Sequence, residues 1–254
     1  MSFKEKVAIV TAGASVIGPA TVKALLAKGA LVVAADTIAE ALKAMEEQLK
    51  DFKESFQPLA VNVASEANVS RMIENTLSRF GGIDMLVNSA GISPKHKGKK
   101  LNLWEMPVSE WDQVMAVNIR GVFLCCHSAV PKMIERGGGA IVNLSSLAAK
   151  VGSVITGCHY VISKAGVVGL TKILAREVAE HHIRVNAVAP GRIDTPMIWD
   201  VPPEVNERYK ESIPLKRLGS PEEVSDGIVF LLSDKAAYIT GQVLDINGGL
   251  GIYY

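Results

Sequence analysis

Tyr160 and Lys164 stand four residues apart in Tyr160-Val161-Ile162-Ser163-Lys164, and a serine pair, Ser145-Ser146, lies about fourteen residues upstream. Four residues is about one helical turn, so a phenol and an ammonium leave the same helix face. A free tyrosine titrates near pH ~10 and is a weak base at neutral pH. A cation held beside it favours the phenolate and is expected to bring its pKa down toward the working range. A serine hydroxyl converging on the same point can hold a substrate oxygen. The set suits proton transfer to or from an alcohol or carbonyl oxygen. Either serine of the pair could supply that hydroxyl.

A second constellation lies near the start of the chain. The apolar run 7–10 leads into Thr11-Ala12-Gly13-Ala14-Ser15-Val16-Ile17-Gly18-Pro19. A turn of small residues between a strand and a helix aims backbone N–H groups and the positive helix end at a phosphate. Asp36 follows at the end of the next apolar run, eighteen residues after Gly18. A carboxylate there can bond both hydroxyls of an adenosine ribose and repels a 2′-phosphate. Neither Ser15 nor Thr37 offers a cation for such a phosphate, so NAD is expected over NADP.

These residues need a scaffold, and the rest of the chain describes one. Continuous apolar runs at 7–10, 31–35, 59–63, 85–88, 140–144, 184–188 and 243–246 read as strands covered on both faces. Helical patterns at 18–28, 39–50, 67–80, 109–136, 160–181 and 222–232 lie between them. The last starts at Ser220-Pro221-Glu222-Glu223, an N-cap with proline at N1 and acids in the first turn. This alternation predicts an α/β Rossmann fold: one doubly wound parallel sheet of about seven strands with helices on both faces. No linker splits the chain, so residues 1–254 are expected to form a single domain. The proline-rich stretch 192–219 should cover the substrate.

Of 254 residues, 48% are hydrophobic and 21% charged, ordinary values for a chain with a sizeable core. A net charge of +1 gives no preference for nucleic acid or membrane. No membrane span and no secretory signal are expected. Cys125, Cys126 and Cys158 form neither a disulfide framework nor a zinc spacing, which suits reduced thiols in the cytoplasm. His96, His127, His159, His181 and His182 show no metal-ligand spacing, and no metal is expected. His159 is expected to be a helix-start residue, and the basic run 95–100 a solvated loop.

Taken together and in order, these marks identify the chain as resembling the compact short-chain dehydrogenases/reductases, from about Lys6 to Gly249. The marks are the turn from Thr11 to Gly18, Asn88-Ser89-Ala90-Gly91, Asn118 in Val117-Asn118-Ile119, Asn143-Leu144-Ser145-Ser146, Tyr160 with Lys164, Pro190-Gly191-Arg192-Ile193-Asp194-Thr195, and Gly241 through Gly248-Gly249. The resemblance implies that Tyr160 exchanges the proton, that Lys164 lowers its pKa and bonds the nicotinamide ribose, that Ser146 polarises the substrate oxygen, and that Asn118 holds a relay water. It also implies a cofactor site made by Thr11, Gly13, Ser15, Ile17, Gly18, Asp36, Asn62 and Val63 on the adenosine side. Asn88, Ala90, Gly91, Tyr160, Lys164, Pro190, Gly191, Ile193 and Thr195 would form the nicotinamide side. It implies a homotetramer built on the helices 109–136 and 160–181.

Ala12 and Val16 stand where the family pattern has glycine, Asn62 where it has Asp, and Ser89 where it has Asn. Ser146 precedes Tyr160 by fourteen residues where thirteen is usual. The β-branched Val16 is expected to weaken the dinucleotide site. The leading expectation is an NAD-dependent oxidoreductase interconverting a secondary alcohol and a ketone, with a small-molecule substrate. The alternatives are an NADPH-dependent 3-oxoacyl-[acyl-carrier-protein] reductase and, from another class, a binding or regulatory protein without turnover.

Overall fold

The computed structural model describes residues 2–153, 155–195 and 203–251. Its strands are β1 (Val7–Thr11), β2 (Leu31–Asp36), β3 (Phe56–Ala60), β4 (Met85–Asn88), β5 (Gly139–Leu144), β6 (Ile183–Pro190) and β7 (Val243–Ile246). They pair in parallel in the order β3-β2-β1-β4-β5-β6-β7. The helices are α1 (Gly18–Ala27), α2 (Ala39–Gln48), α3 (Glu66–Phe80), α4 (Val108–Met115), α5 (Gly121–Arg136), α6 (Ala148–Val151), α7 (Cys158–Glu177), α8 (Pro203–Ser212) and α9 (Pro221–Leu232).

Both sheet faces are covered, which is why the strands read as unbroken apolar runs. Ala8 and Val10 of β1 enter one core cluster with Val22 and Leu25 of α1 and Val224 and Ile228 of α9. Ile9 enters the other, with Met72 of α3, Val122 of α5 and Val167 of α7. Strand order reverses between β1 and β4, and the crevice beyond the carboxyl ends of these strands is where open α/β sheets bind ligands. The sequence marks for chemistry, Thr11 to Gly18, Asn88 to Gly91 and Ser145-Ser146, all follow such carboxyl ends.

Several boundaries differ from expectation. The third strand is 56–60 rather than 59–63 because Pro58 dilutes its pattern; it is an edge strand, where a missing N–H is tolerated. The helix expected over 109–136 starts at Val108 and contains a π turn, Ala116–Arg120, between α4 and α5. This rod, Val108–Arg136, is long and apolar enough by composition to cross a membrane, but Val122, Leu124, Cys125, Ala129 and Met133 pack into the core. The catalytic-pattern helix begins at Cys158 and ends at Glu177. The expected cap of α9 is present: Ser220 Oγ accepts from Glu223 N at 3.2 Å, and Glu223 Oε2 accepts from Ser220 N at 2.9 Å. In the covering stretch, α8 was not expected; positions 196–202, including Trp199, lie outside the described residues.

Candidate active site

The strand-to-helix turn after β1 has two residues in the left-handed region, Ala12 at φ +50° and Val16 at φ +55°. Glycine is required close by. A Cβ on Gly18 would lie 1.9 Å from the Ala12 carbonyl oxygen, and one on Gly13 would lie 2.7 Å from Ala34 Cβ. Thr11 is buried and ties β1 to the end of β4: its Oγ1 accepts from Ser89 N at 3.0 Å and Ala90 N at 3.2 Å. Asp36 is buried beside the turn. Its Oδ2 accepts from Ser15 Oγ at 2.8 Å and Ala14 N at 3.1 Å, and its Oδ1 accepts from Ile38 N at 3.2 Å. A carboxylate has about four acceptor positions. One ribose hydroxyl can therefore be taken directly, and a second only in exchange for Ser15.

At the other end, α7 places Tyr160 and Lys164 one turn apart, with Lys164 Nζ 5.9 Å from the Tyr160 ring centroid. Lys164 is buried and donates to the Leu144 carbonyl at 2.7 Å. Burial pushes this ammonium from 10.5 to about 8. Ser146 and Tyr160 line the same cavity, and the Ser146 side chain favours the ionised phenol. Ser145 cannot share that task, because its hydroxyl donates to the Lys164 carbonyl at 2.9 Å. The expectation of a lowered tyrosine pKa is corrected. In the protein alone burial pushes the phenol up, and the Ser146 contact offsets only part of this. The ammonium, itself desolvated and held on Leu144, does not reverse it.

Asn118 is fully buried in the π turn. Its Oδ1 accepts from Ile92 N at 2.8 Å, and its Nδ2 donates to Ile92 O at 3.0 Å and Ser163 Oγ at 3.1 Å. Both amide protons are engaged, so the side chain clamps the 92 peptide and keeps one oxygen lone pair for a water. Gly91 lies against this group; a Cβ there would be 3.1 Å from Lys164 Nζ.

A cavity of about 380 Å³ joins the two ends. Of the predicted site residues it is lined by Ser15, Ile17, Gly91, Ser146, Tyr160, Lys164, Pro190, Gly191, Ile193 and Thr195. Others sit elsewhere. Asn88 turns inward and donates to Asn143 Oδ1 at 2.8 Å. Asn62 is exposed, and its oxygen accepts from Ala64 N at 3.0 Å. Val63 is buried against Gly121, and Ala90 packs on the core. Gly13 and Gly18 shape the turn from behind.

The cavity is also lined by Thr156, Arg192 and Tyr209, which sequence reasoning did not single out. Thr156 Oγ1 is buried and has no hydrogen-bond partner among the described residues. His159 is a buried structural residue, as expected for a helix start, yet it is coupled to the site. Its Nδ1 accepts from Tyr160 N at 2.7 Å, so its Nε2 carries the proton and donates to Glu110 Oε1 at 2.9 Å. The other oxygen of Glu110 meets His96 Nε2 at 2.6 Å. Burial alone would push the Glu110 carboxyl up; the bonds from His159 and His96 outweigh it and hold the group below its usual range. Cys125 and Cys126 are buried, and burial pushes the Cys126 thiol up to about 12, as inert thiols require. Among the described residues no cluster of His, Cys, Asp or Glu could hold a metal.

The family profile described as Enoyl-(Acyl carrier protein) reductase matches residues 11–251. The chain is 40% identical over 252 residues to the 3-oxoacyl-[acyl-carrier-protein] reductase of Thermotoga maritima, covering 99% of this chain and 100% of that protein. The chain belongs to the short-chain dehydrogenase/reductase family. A 3-oxoacyl-[acyl-carrier protein] reductase with bound NAD from Brucella melitensis superposes with a TM-score of 0.92 at 38% identity, covering 99% of this chain and 93% of that one. Levodione reductase superposes at 0.90 with 35% identity, covering 97% and 98%. Like its relatives, this short-chain dehydrogenase/reductase is an oxidoreductase. The cradle fits a dinucleotide: a glycine-tight turn whose Ser15 and Ile17 line the cavity, a carboxylate bonded to that turn, and Gly91 on the cavity wall beside Lys164.

Proposed function

We propose that the protein is an NAD(H)-dependent reductase of 3-oxoacyl substrates. The observation that carries this reading is the Tyr160–Ser146 pair opening on the same cavity as Lys164 and the phosphate turn. The substrate class follows the names of the relatives, which favour a 3-oxoacyl group over an unspecified secondary alcohol. The cofactor follows Asp36. Among the described residues this buried carboxylate is bonded by Ala14, Ser15 and Ile38 and by no cation, so a 2′-phosphate near it would be repelled; the Brucella melitensis relative is described with NAD bound.

The chemistry is general acid catalysis on a held oxygen. Ser146 Oγ and the Tyr160 hydroxyl bond the 3-oxo oxygen and polarise its carbon. NADH, held by Ser15, Ile17, Gly91 and Lys164, would supply the hydride to that carbon. The Tyr160 hydroxyl would give its proton to the oxygen. A phenol pushed up by burial is protonated at neutral pH, the form a reductase needs. Lys164 has two N–H donors beyond its bond to Leu144 for the ribose and stabilises the phenolate that remains.

Assembly is proposed to be a homotetramer built on the outer faces of α5 and α7, where Phe123, Ile162 and Ile173 are exposed. A monomer mass by light scattering at micromolar concentration refutes it. Oxidation of NADH by a 3-oxobutanoyl thioester tests the function, with NADPH as competitor. Turnover with NADPH but not NADH would overturn the cofactor assignment, and none with either would overturn the substrate class.

A further inference from the structure

Arg192 is the unexpected group in the cavity. It follows Gly191 at the end of β6 and lines the same space as Ser146 and Tyr160. Two residues of α8, three apart and so on one helix face, fix it. Asn206 Oδ1 accepts from Arg192 Nε at 3.2 Å and from Nη2 at 2.6 Å. The guanidinium carbon lies 5.1 Å from the Tyr209 ring centroid. One long edge and one face of the fork are thus occupied by neutral groups. The end edge, formed by Nη1 and the second proton of Nη2, has no partner among the described residues. Among the described residues no carboxylate pairs with this half-buried cation, and burial pushes it below its usual value. Every other described arginine or lysine on the cavity wall is already committed: Lys164 to catalysis, and Lys95 to the Ile155 carbonyl and, at 3.5 Å, Ser93 Oγ.

A desolvated guanidinium oriented by neutral groups and left without a counter-ion is built for an anion that arrives with the ligand. Its exposed edge matches two oxygens of a carboxylate or phosphate, which a lysine cannot do. We propose that Arg192 is a specificity residue of this site and that the substrate carries an oxyanion that docks on its Nη1–Nη2 edge. This rests on the 3-oxoacyl reading. The oxyanion then has two sources: the carboxylate of a free 3-oxo acid, or the phosphate on the arm of a carrier-bound thioester. Asn206 and Tyr209 are positioning residues, because they act through Arg192.

The test compares three substrates with NADH: 3-oxobutanoate, its neutral methyl ester, and 3-oxobutanoyl phosphopantetheine. Arg192→Met should lower kcat/KM by about 10- to 100-fold for the substrate whose oxyanion docks, the loss of a charge-assisted pair. The methyl ester should stay within about threefold. Arg192→Lys should recover part of the loss. Asn206→Ala, which loosens the brace but keeps the cation, should preserve the substrate preference. A loss confined to the free acid assigns the carboxylate, and one confined to the thioester assigns the phosphate. An equal loss on all three, or none, overturns the proposal. Failure of the wild type on all three overturns the 3-oxoacyl reading instead. Calorimetric titration with 3-hydroxybutanoate and with inorganic phosphate then decides the anion site independently of turnover. Binding by wild type that Arg192→Met abolishes upholds it, and no binding or equal binding sinks it.

Discussion

Val16→Gly probes the most unusual point of the phosphate turn. Val16 holds φ +55° with its side chain 37% exposed on the cavity wall. A left-handed backbone costs an L-residue about 1–2 kcal/mol, and glycine removes that cost. Against it stand the larger chain entropy of glycine, about 0.5–1 kcal/mol, and the lost packing of a partly buried isopropyl group, about 1 kcal/mol. The contributions nearly cancel, so urea unfolding should stay within about 1 kcal/mol of wild type. Affinity follows a different rule. The free protein already has the glycine-like backbone, so relief of strain is common to free and bound forms and drops out. What remains is side-chain volume where the pyrophosphate should lie. Removing it should tighten NADH about tenfold, or ~1.4 kcal/mol. Isothermal titration of both proteins reads this directly. Equal or weaker binding by a variant of unchanged stability would refute the steric argument. Gly18→Ala is the opposing control, since its Cβ would meet the Ala12 carbonyl at 1.9 Å and the turn cannot keep its shape.

Tyr160→Phe should reduce turnover by at least 10²-fold while leaving NADH affinity nearly intact; activity within tenfold of wild type would place the proton elsewhere. Asp36→Ser with Thr37→Arg should shift preference toward NADPH by removing a repulsion and adding a phosphate partner, read as the ratio of kcat/KM for the two cofactors. Lys164→Met should be inactive yet no less stable near pH 7. The depression from 10.5 to about 8 corresponds to about 3 kcal/mol of burial cost at 1.36 kcal/mol per pH unit, against about 1–3 kcal/mol for orphaning the Leu144 carbonyl. Because the folded pKa is the lower one, the cost is full below pH 8 and fades as pH rises to 10.5. The variant's advantage in urea melts should therefore shrink over that window, and a constant difference would show that Lys164 is not desolvated.

Much of this was legible in the residues because covered strands and short functional spacings are local signals. Six of the seven apolar runs fell on strands, and the seventh slipped because Pro58 hid an edge strand whose exposed residues do not form a run. The turn, the Tyr160–Lys164 pair and Asp36 each needed only neighbours in the chain. The groups that were not read depend on distant partners. Arg192 gains meaning only from Asn206 and Tyr209, on a helix that a proline-rich, charged stretch concealed. Glu110 bridges His96 and His159, which lie 14 and 49 residues away. Asn88 belongs to the family pattern, yet it serves a buried bond to Asn143 rather than the cavity wall. A pattern fixes which residue occurs, and only packing fixes which way it points.

The π turn at Ala116–Arg120 has a consequence for how this protein can tolerate length change. Such a turn is one residue more than an α-helix needs over the same distance. Deleting a single residue there would leave a continuous, fully hydrogen-bonded rod, a change that looks harmless to helix stability. The flanking segments would keep their phase, because the turn already absorbs the extra residue. Glu110 would still face His159, whereas the 118 side chain would be re-aimed and its amide would leave the 92 peptide. The surplus residue therefore acts locally, widening one turn so that a buried asparagine reaches the loop after β4. A length change elsewhere in this helix has no such slack and would rotate one end against the other by about 100° per residue.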